Sequence, residues 1–202
     1  MVFLQIRYLQ NQELGIRIDQ TLVIKSPDIV DSTYNQKYAV FRQKLLQHAV
    51  VNSVSASTEV PGKQPLWNAG GVRRLSQRED EATQFRVIMM DADFIPSYGL
   101  EMAAGRPFNS DLPNEDENVL MNEAACKWIG IGNAEEAIND HIYFWGDTFR
   151  IIGVVKNYGQ ESLKKNYDPA IFRYSLSPDG YYSVKFNTAD VKSSLMALFF
   201  RQ

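Results

Sequence analysis

The sequence predicts an α+β fold in which a few helices are set among a larger number of short strands. Three observations carry this. Apolar residues cluster in short alternating or continuous runs bounded by Gly, Pro, Asn and Asp, which is the pattern of strands. A smaller number of stretches switch to helical spacing. No linker, repeat or low-complexity stretch divides the 202 residues, which argues for interleaved lobes rather than domains in series.

Taken in order, residues 1–14 carry apolar positions at Phe3, Leu4, Ile6, Tyr8 and Leu9 and are followed by Gly15, predicting a short helix closed by a glycine. Residues 21–24 read as a strand stopped by Ser26 and Pro27. Thr33 and Gln36 have capping-box spacing, and Tyr34, Tyr38, Phe41 and Leu45 fall on one helical face, so an amphipathic helix runs to about His48. Strands are expected at 50–60, 72–75 and 85–90, the first two separated by a loop rich in Gly, Pro, Asn and Gln. Residues 93–98 read as a short helix stopped by Gly99.

Farther along, 119–121 is a brief strand, and Asn122 is placed to cap a helix over 123–129 closed by Gly130. Glu123 falls in the first turn of that helix, where the dipole favours negative charge. The runs 141–145 and 148–155 flank Gly146-Asp147, a two-residue hairpin signal. The second run is apolar on both faces and so belongs at the centre of its sheet, with Gly153 marking close packing or a bulge. Strands are expected at 169–174 and 181–186. A last helix follows, with Asp190 as N-cap and Val191, Leu195 and Leu198 as its apolar stripe.

Bulk properties narrow the function classes. The net charge is −3 and the Lys and Arg residues form no basic stripe, so nucleic acid is a poor candidate partner. No run approaches the ~20 apolar residues that cross a bilayer. The start lacks the small-residue cleavage site of a signal peptide. The lone Cys126 cannot form an internal disulfide and reads as a small core residue.

The chain offers little to build a reaction on. Its two histidines, His48 and His141, fall at a helix end and a strand start, where a surface or cap role is the simpler reading. Two His and one distant Cys do not supply a zinc site. No nucleophile elbow or Walker lysine occurs, and Gly130-Ile131-Gly132-Asn133 follows a helix and reads as a loop. Asp111, Glu115, Asp116 and Glu117 lack EF-hand spacing and read as a solvated acidic loop. Asp91 with Asp93 reads as a strand-to-helix cap. Within Tyr143-Phe144-Trp145 the simple reading is core packing, with Trp145 beside the turn as a possible partner contact. In Gly105-Arg106, glycine suits a positive φ and arginine a bridge to backbone carbonyls or a carboxylate.

One stretch is more specific. Residues 91–108, D-A-D-F-I-P-S-Y-G-L-E-M-A-A-G-R-P-F, are joined by V-L-M-N-E-A-A (119–125), F-R-I-I-G-V-V-K-N-Y (149–158), E-S-L (161–163) and P-A-I-F (169–172). Together they resemble the periplasmic core domain of MacB-like and FtsX-like ABC transporter permeases, most clearly from Phe85 to Tyr174. The resemblance implies a membrane-proximal helix (1–15), a porter-like α/β lobe built from 16–90 and 181–202, and an inserted, strand-rich, Sabre-like lobe over 91–180. It implies a non-catalytic domain without cofactor or metal, lying between transmembrane helices of an inner-membrane protein in a Gram-negative envelope, with Met1 inside a longer chain. Such a domain passes ATP-driven conformational change to the periplasm, for export of peptides, toxins or lipoproteins or for control of envelope partners. Its partners would be the rest of its permease, a cytoplasmic ATP-binding subunit, a second protomer, and a periplasmic adaptor or lipoprotein. Asp91, Phe94, Gly99, Gly105, Arg106, Phe108, Asn122 and Gly153 are then family-motif positions with structural roles. Two other readings stay open: a ligand-sensing extracytoplasmic domain, which needs a pocket with convergent polar groups, and a hydrolase built on a carboxylate pair.

Overall fold

A computed structural model describes residues 15–63, 67–159, 167–188 and 190. The expected helices at 1–14 and after Asp190, and the E-S-L motif, lie outside the described residues. No helix among those described is long and apolar enough to cross a membrane.

Ten strands alternate with a few short helices. Strand β1 (Thr21–Lys25) leads to helix α1 (Tyr34–Leu46), then β2 (Val51–Ser57), β3 (Asn68–Arg74) and β4 (Thr83–Met90). Helix α2 (Phe94–Tyr98) and β5 (Met102–Gly105) follow, then β6 (Asn118–Asn122), α3 (Glu123–Trp128) and α4 (Ala134–Ala137). The hairpin β7 (His141–Phe144) and β8 (Asp147–Val155), then β9 (Ala170–Tyr174) and β10 (Tyr181–Phe186), complete the set.

Strand pairing separates two groups. β1, β10 and β2 form an antiparallel three-stranded sheet. The strands β4, β3, β7, β8, β6 and β9 pair in that order, and a parallel β9–β4 ladder, Arg86↔Ala170 to Met90↔Tyr174, closes them into a ring. Closure removes the exposed edges that an open sheet would leave. The groups meet in the sheet at one position, Ser57↔Met90. The ring takes in β3 and β4, so its first strand begins at Asn68.

Side-chain alternation explains the ring's core. Val72, Phe85, Val119, Ile142, Ile151 and Ile171 come from all six ring strands and pack together, so they line its interior. Ala125, Cys126, Ile129 and Ala137 from α3 and α4 join the same cluster. The opposite faces of β4, β6, β8 and β9 supply Ile88, Leu120, Ile152 and Phe172, which pack under Phe94, Ile95 and Tyr98 of α2. Both faces of β8 are therefore buried, as its continuous apolar sequence requires. In the small sheet, Val54, Ala56, Tyr182 and Val184 pack with Tyr34, Tyr38, Phe41 and Leu45 of α1.

Several local expectations need correction. Thr33 makes no side-chain cap to α1. Asp31 precedes it and accepts from both the Thr33 N–H (2.9 Å) and hydroxyl (2.7 Å), forming the turn into the helix. The hairpin turn is Trp145-Gly146, with φ of +54° and +89°, one residue earlier than expected; Phe144 pairs with Asp147, which belongs to the strand. Two positive φ values define a type I′ turn, whose hand matches the strand twist. Asn133 caps α4 by accepting from the Glu136 N–H at 2.9 Å, so the expected loop there runs into a helix.

Candidate functional site

The motif segment 91–108 runs along the contact between the small sheet and the ring. β4 delivers Asp91 to the end of the ring, and α2 then lies against the face of the small sheet opposite α1. Helix α2 ends at Gly99, whose φ of +61° permits the αL closure of so short a helix.

Asp91 is the centre of this joint. Its side chain is 5 % exposed, and Oδ2 accepts from the Tyr38 hydroxyl (2.7 Å) and the Ala56 N–H (2.8 Å). The Asp91 N–H in turn donates to the Ala56 carbonyl at 3.0 Å. Oδ1 has no hydrogen-bond partner among the described residues. Burial therefore pushes the carboxyl up to about 7, against the two hydrogen bonds that favour its charge. Burial, reinforced by Asp91, raises the Tyr38 phenol, which stays a donor. Asp91 and Asp93 do not cap α2: no side-chain cap is present, and Asp93 instead pairs with Arg42 at 2.5 Å.

Further bonds extend the joint along α2. Ser97 Oγ donates to Ser53 Oγ (2.8 Å) on β2, the Tyr98 hydroxyl meets Ser183 Oγ (2.8 Å) on β10, and the Arg17 N–H donates to the Tyr98 carbonyl (2.7 Å). Phe94 is buried against Tyr98, their ring centroids 4.8 Å apart. Residues 91–98 thus bond to α1, β2, β10 and the segment before β1.

The second half of the motif ties into β8. Gly105 has φ of +71°, and a Cβ there would lie 2.2 Å from the Ile152 carbonyl oxygen. Gly153, its ladder partner, would bring a Cβ within 2.4 Å of the Arg106 carbonyl oxygen. Arg106 donates to both oxygens of Glu115 (2.7 and 3.2 Å) and to the Pro107 carbonyl (3.1 Å). Glu115 is buried and also accepts from the Asn109 N–H at 3.3 Å, so it is not part of a solvated loop; Asp111, Asp116 and Glu117 are exposed. Phe108 is buried beside Tyr174.

Asn122 lies away from the joint, where it caps α3 by accepting from the Ala125 N–H (2.9 Å), accepts from the Ala170 N–H (3.0 Å) and donates to the Asp168 carbonyl (2.8 Å). It thereby ties the start of α3 to β9. Trp145 lies at the hairpin tip with its indole partly exposed, whereas Phe144 is buried. His48 is exposed and His141 half-buried. Burial pushes the Cys126 thiol up to about 11. Among the described residues no group of His, Cys, Asp or Glu is arranged to hold a metal.

Tyr38, Arg42 and Ser183, which complete the joint, carry no motif of their own. Tyr38 is 53 positions from Asp91, and only the fold brings them together. Glu115 is nine positions from Arg106, and that opposite charge in a short loop was a usable signal.

Comparison with known proteins agrees with this architecture. The sequence profile described as MacB-like periplasmic core domain matches residues 8–192. The periplasmic region of MacB from Actinobacillus actinomycetemcomitans is similar in fold, with a TM-score of 0.61 at 16% identity over 95% of this chain and 86% of that one. The extracellular domain of the noncanonic ABC-type transporter YknZ from Gram-positive bacteria aligns with a TM-score of 0.51 at 15% identity, over 75% of this chain and 74% of that one. A domain of a permease protein from Porphyromonas gingivalis aligns with a TM-score of 0.53 at 13% identity, over 77% and 71%. No curated protein sequence matches the chain. With the profile spanning nearly all of the described residues, the chain belongs to the MacB-like periplasmic core domains, the extracytoplasmic domains of ABC transporter permeases.

Proposed function

We propose that this domain is a non-catalytic lever, carrying ATP-driven conformational change from its permease and a cytoplasmic ATP-binding subunit to the periplasmic side. The observation that supports this reading is the joint at 91–98. Residues 91–98 bond to α1, β2, β10 and the chain before β1, while residues 102–105 of the same motif pair with β8. Such a connection lets the small sheet and the ring move as one body, which a transmitting element needs.

In this reading the small sheet and α1 form the porter-like lobe, residues 1–15 the membrane-proximal helix, and the ring the inserted Sabre-like lobe. The pairing of β3 and β4 within the ring favours a lobe boundary between β2 and β3 over one at residue 90. Asp91, Phe94, Gly99, Gly105, Arg106, Phe108, Asn122 and Gly153 are structural in this account. The permease works as a dimer in a Gram-negative inner membrane, with a periplasmic adaptor or lipoprotein as partner and peptides, toxins or lipoproteins as cargo.

A two-state transmitter must make different contacts in its two states. Cysteine crosslinking between protomers of the full-length permease tests this. The expected result is a set of crosslinks that changes between nucleotide-free and ATP-bound protein; an unchanging pattern would overturn the proposal.

A further inference from the structure

Trp145 stands where the turn would be better served by another residue. It holds the first left-handed position of the type I′ turn, at φ +54°, where a bulky side chain is strained and asparagine before glycine is preferred. The core does not need its ring: the residue is 42 % exposed, and its ring touches Phe144, which is already fully buried. A residue that breaks a local rule without a structural gain points to a function.

The cleft it lines supplies one. A cavity of about 420 Å³ lies between the end of the small sheet and the ring, and Trp67, 61 % exposed, lines it together with Trp145, Val87 and Met89. That volume is enough for a few side chains. The loops that border it carry exposed apolar residues: Ile29 and Val30 directly follow Asp28, and Leu176 shortly precedes Asp179. A concentration of exposed aromatic and aliphatic side chains beside a cleft is characteristic of protein contact sites.

The charged groups select the partner. Asp28 is paired with Lys25 at 2.5 Å, but Asp179, on an exposed loop at the cleft, makes no hydrogen bond or ion pair among the described residues. Tyr181, which lines the cleft, already takes an ammonium on its ring: Lys63 Nζ sits 4.3 Å from the ring centre and donates to the hydroxyl at 2.8 Å. Aromatic faces beside a free carboxylate suit a cation carried on an apolar chain.

We propose that this cleft is a docking groove for an extended partner segment in which apolar residues flank a lysine or arginine. The indoles of Trp67 and Trp145 take the apolar side chains, and Asp179 takes the cation. This goes beyond the lever reading and does not require nucleotide-driven motion.

Intrinsic fluorescence reads the binding, because two of the three tryptophans line the cleft and Trp128→Phe removes the third. The probes are a blocked peptide, Gly-Leu-Lys-Leu-Leu-Gly, and its counterpart with glutamate in place of lysine. The lysine peptide is expected to give a saturable spectral shift and to bind about ten-fold more tightly than the glutamate peptide. Asp179→Asn should remove most of that preference. Trp145→Asn, which suits the turn and should melt no lower than the unchanged chain, should weaken binding by about ten-fold. Equal binding of the two peptides, no saturable shift at millimolar peptide, or undiminished binding by Trp145→Asn would overturn the proposal. So would self-association of the chain, or its adsorption to phosphatidylglycerol vesicles, that is lost in Trp145→Asn while the peptides do not bind.

Discussion

Gly105 and Gly153 face each other across the β5–β8 ladder, and neither has room for a single added carbon. The Ile152 and Arg106 carbonyl oxygens occupy the space where the two Cβ atoms would stand, and the Arg106 N–H donates to the same Ile152 carbonyl at 3.1 Å. Backbone approaches backbone here, so no side-chain rearrangement can make room. Gly105→Ala is expected to cost about 2–4 kcal/mol, combining overpacking with a left-handed φ, and Gly153→Ala a similar amount. Denaturant unfolding measures both; a loss under about 1 kcal/mol at either position would contradict the close approach.

Asp91 predicts a pH dependence of stability. Its folded pKa of about 7 lies above the unfolded value of 3.8, so the fold prefers the protonated acid. The sign follows directly: stability falls as pH rises from about 4 to about 7 and levels off above that. Between pH 5 and pH 8 the loss from this group is about 3 kcal/mol, at roughly 1.4 kcal/mol for each pH unit below the folded pKa. Asp91→Asn should remove that slope. Parallel stability profiles for the two proteins over this range would show that the carboxyl is not titrating there.

The Arg42–Asp93 pair beside it should matter much less. Its side chains are 38 % and 39 % exposed, and a pair in that setting contributes less than about 1 kcal/mol. Arg42→Ala should therefore leave the unfolding midpoint nearly unchanged. A large loss would mean that the joint depends on this ion pair more than on the buried carboxyl.

Arg106 and Glu115 form the opposite case. Glu115 is buried and takes both of its side-chain bonds to charge from one guanidinium. Arg106→Ala would strand that carboxylate and should cost about 3 kcal/mol, with Arg106→Lys recovering only part because it cannot make the paired contact. In the Arg106→Ala, Glu115→Ala double variant the cost should be well below the sum of the single changes. Additive costs would show that the two side chains act independently.

The local elements were legible in the sequence because short-range rules govern them. Gly99 and Gly130 end their helices in the left-handed conformation, and Asn122 caps α3 through its side chain. Rules also failed locally: the hairpin moved by one residue because Trp145 accepts a φ that its residue type disfavours. Strand β5, Met-Ala-Ala-Gly, has neither alternation nor strand propensity, and pairing with β8 alone makes it a strand. Ring closure was out of reach: each segment reads as a strand, but nothing in either one says that β4 and β9 pair, from Arg86↔Ala170 to Met90↔Tyr174. The joint shares that limit, because Tyr38 and Ser183 reach Asp91 and Tyr98 only through the completed fold.

A lever requires the small sheet and the ring to move together. Spin labels at exposed Val40 on α1 and Leu112 beyond β5 would measure the distance within one chain of the full-length permease, and a single label on each of two protomers the distance between chains. Cys126 can stay, because it is buried with its thiol pushed up to about 11 and will not compete for label. On ATP binding a lever keeps the distance within the chain unchanged and changes the distance between protomers. A distance within the chain that shifts while the protomers stay fixed, or no change in either, would contradict it.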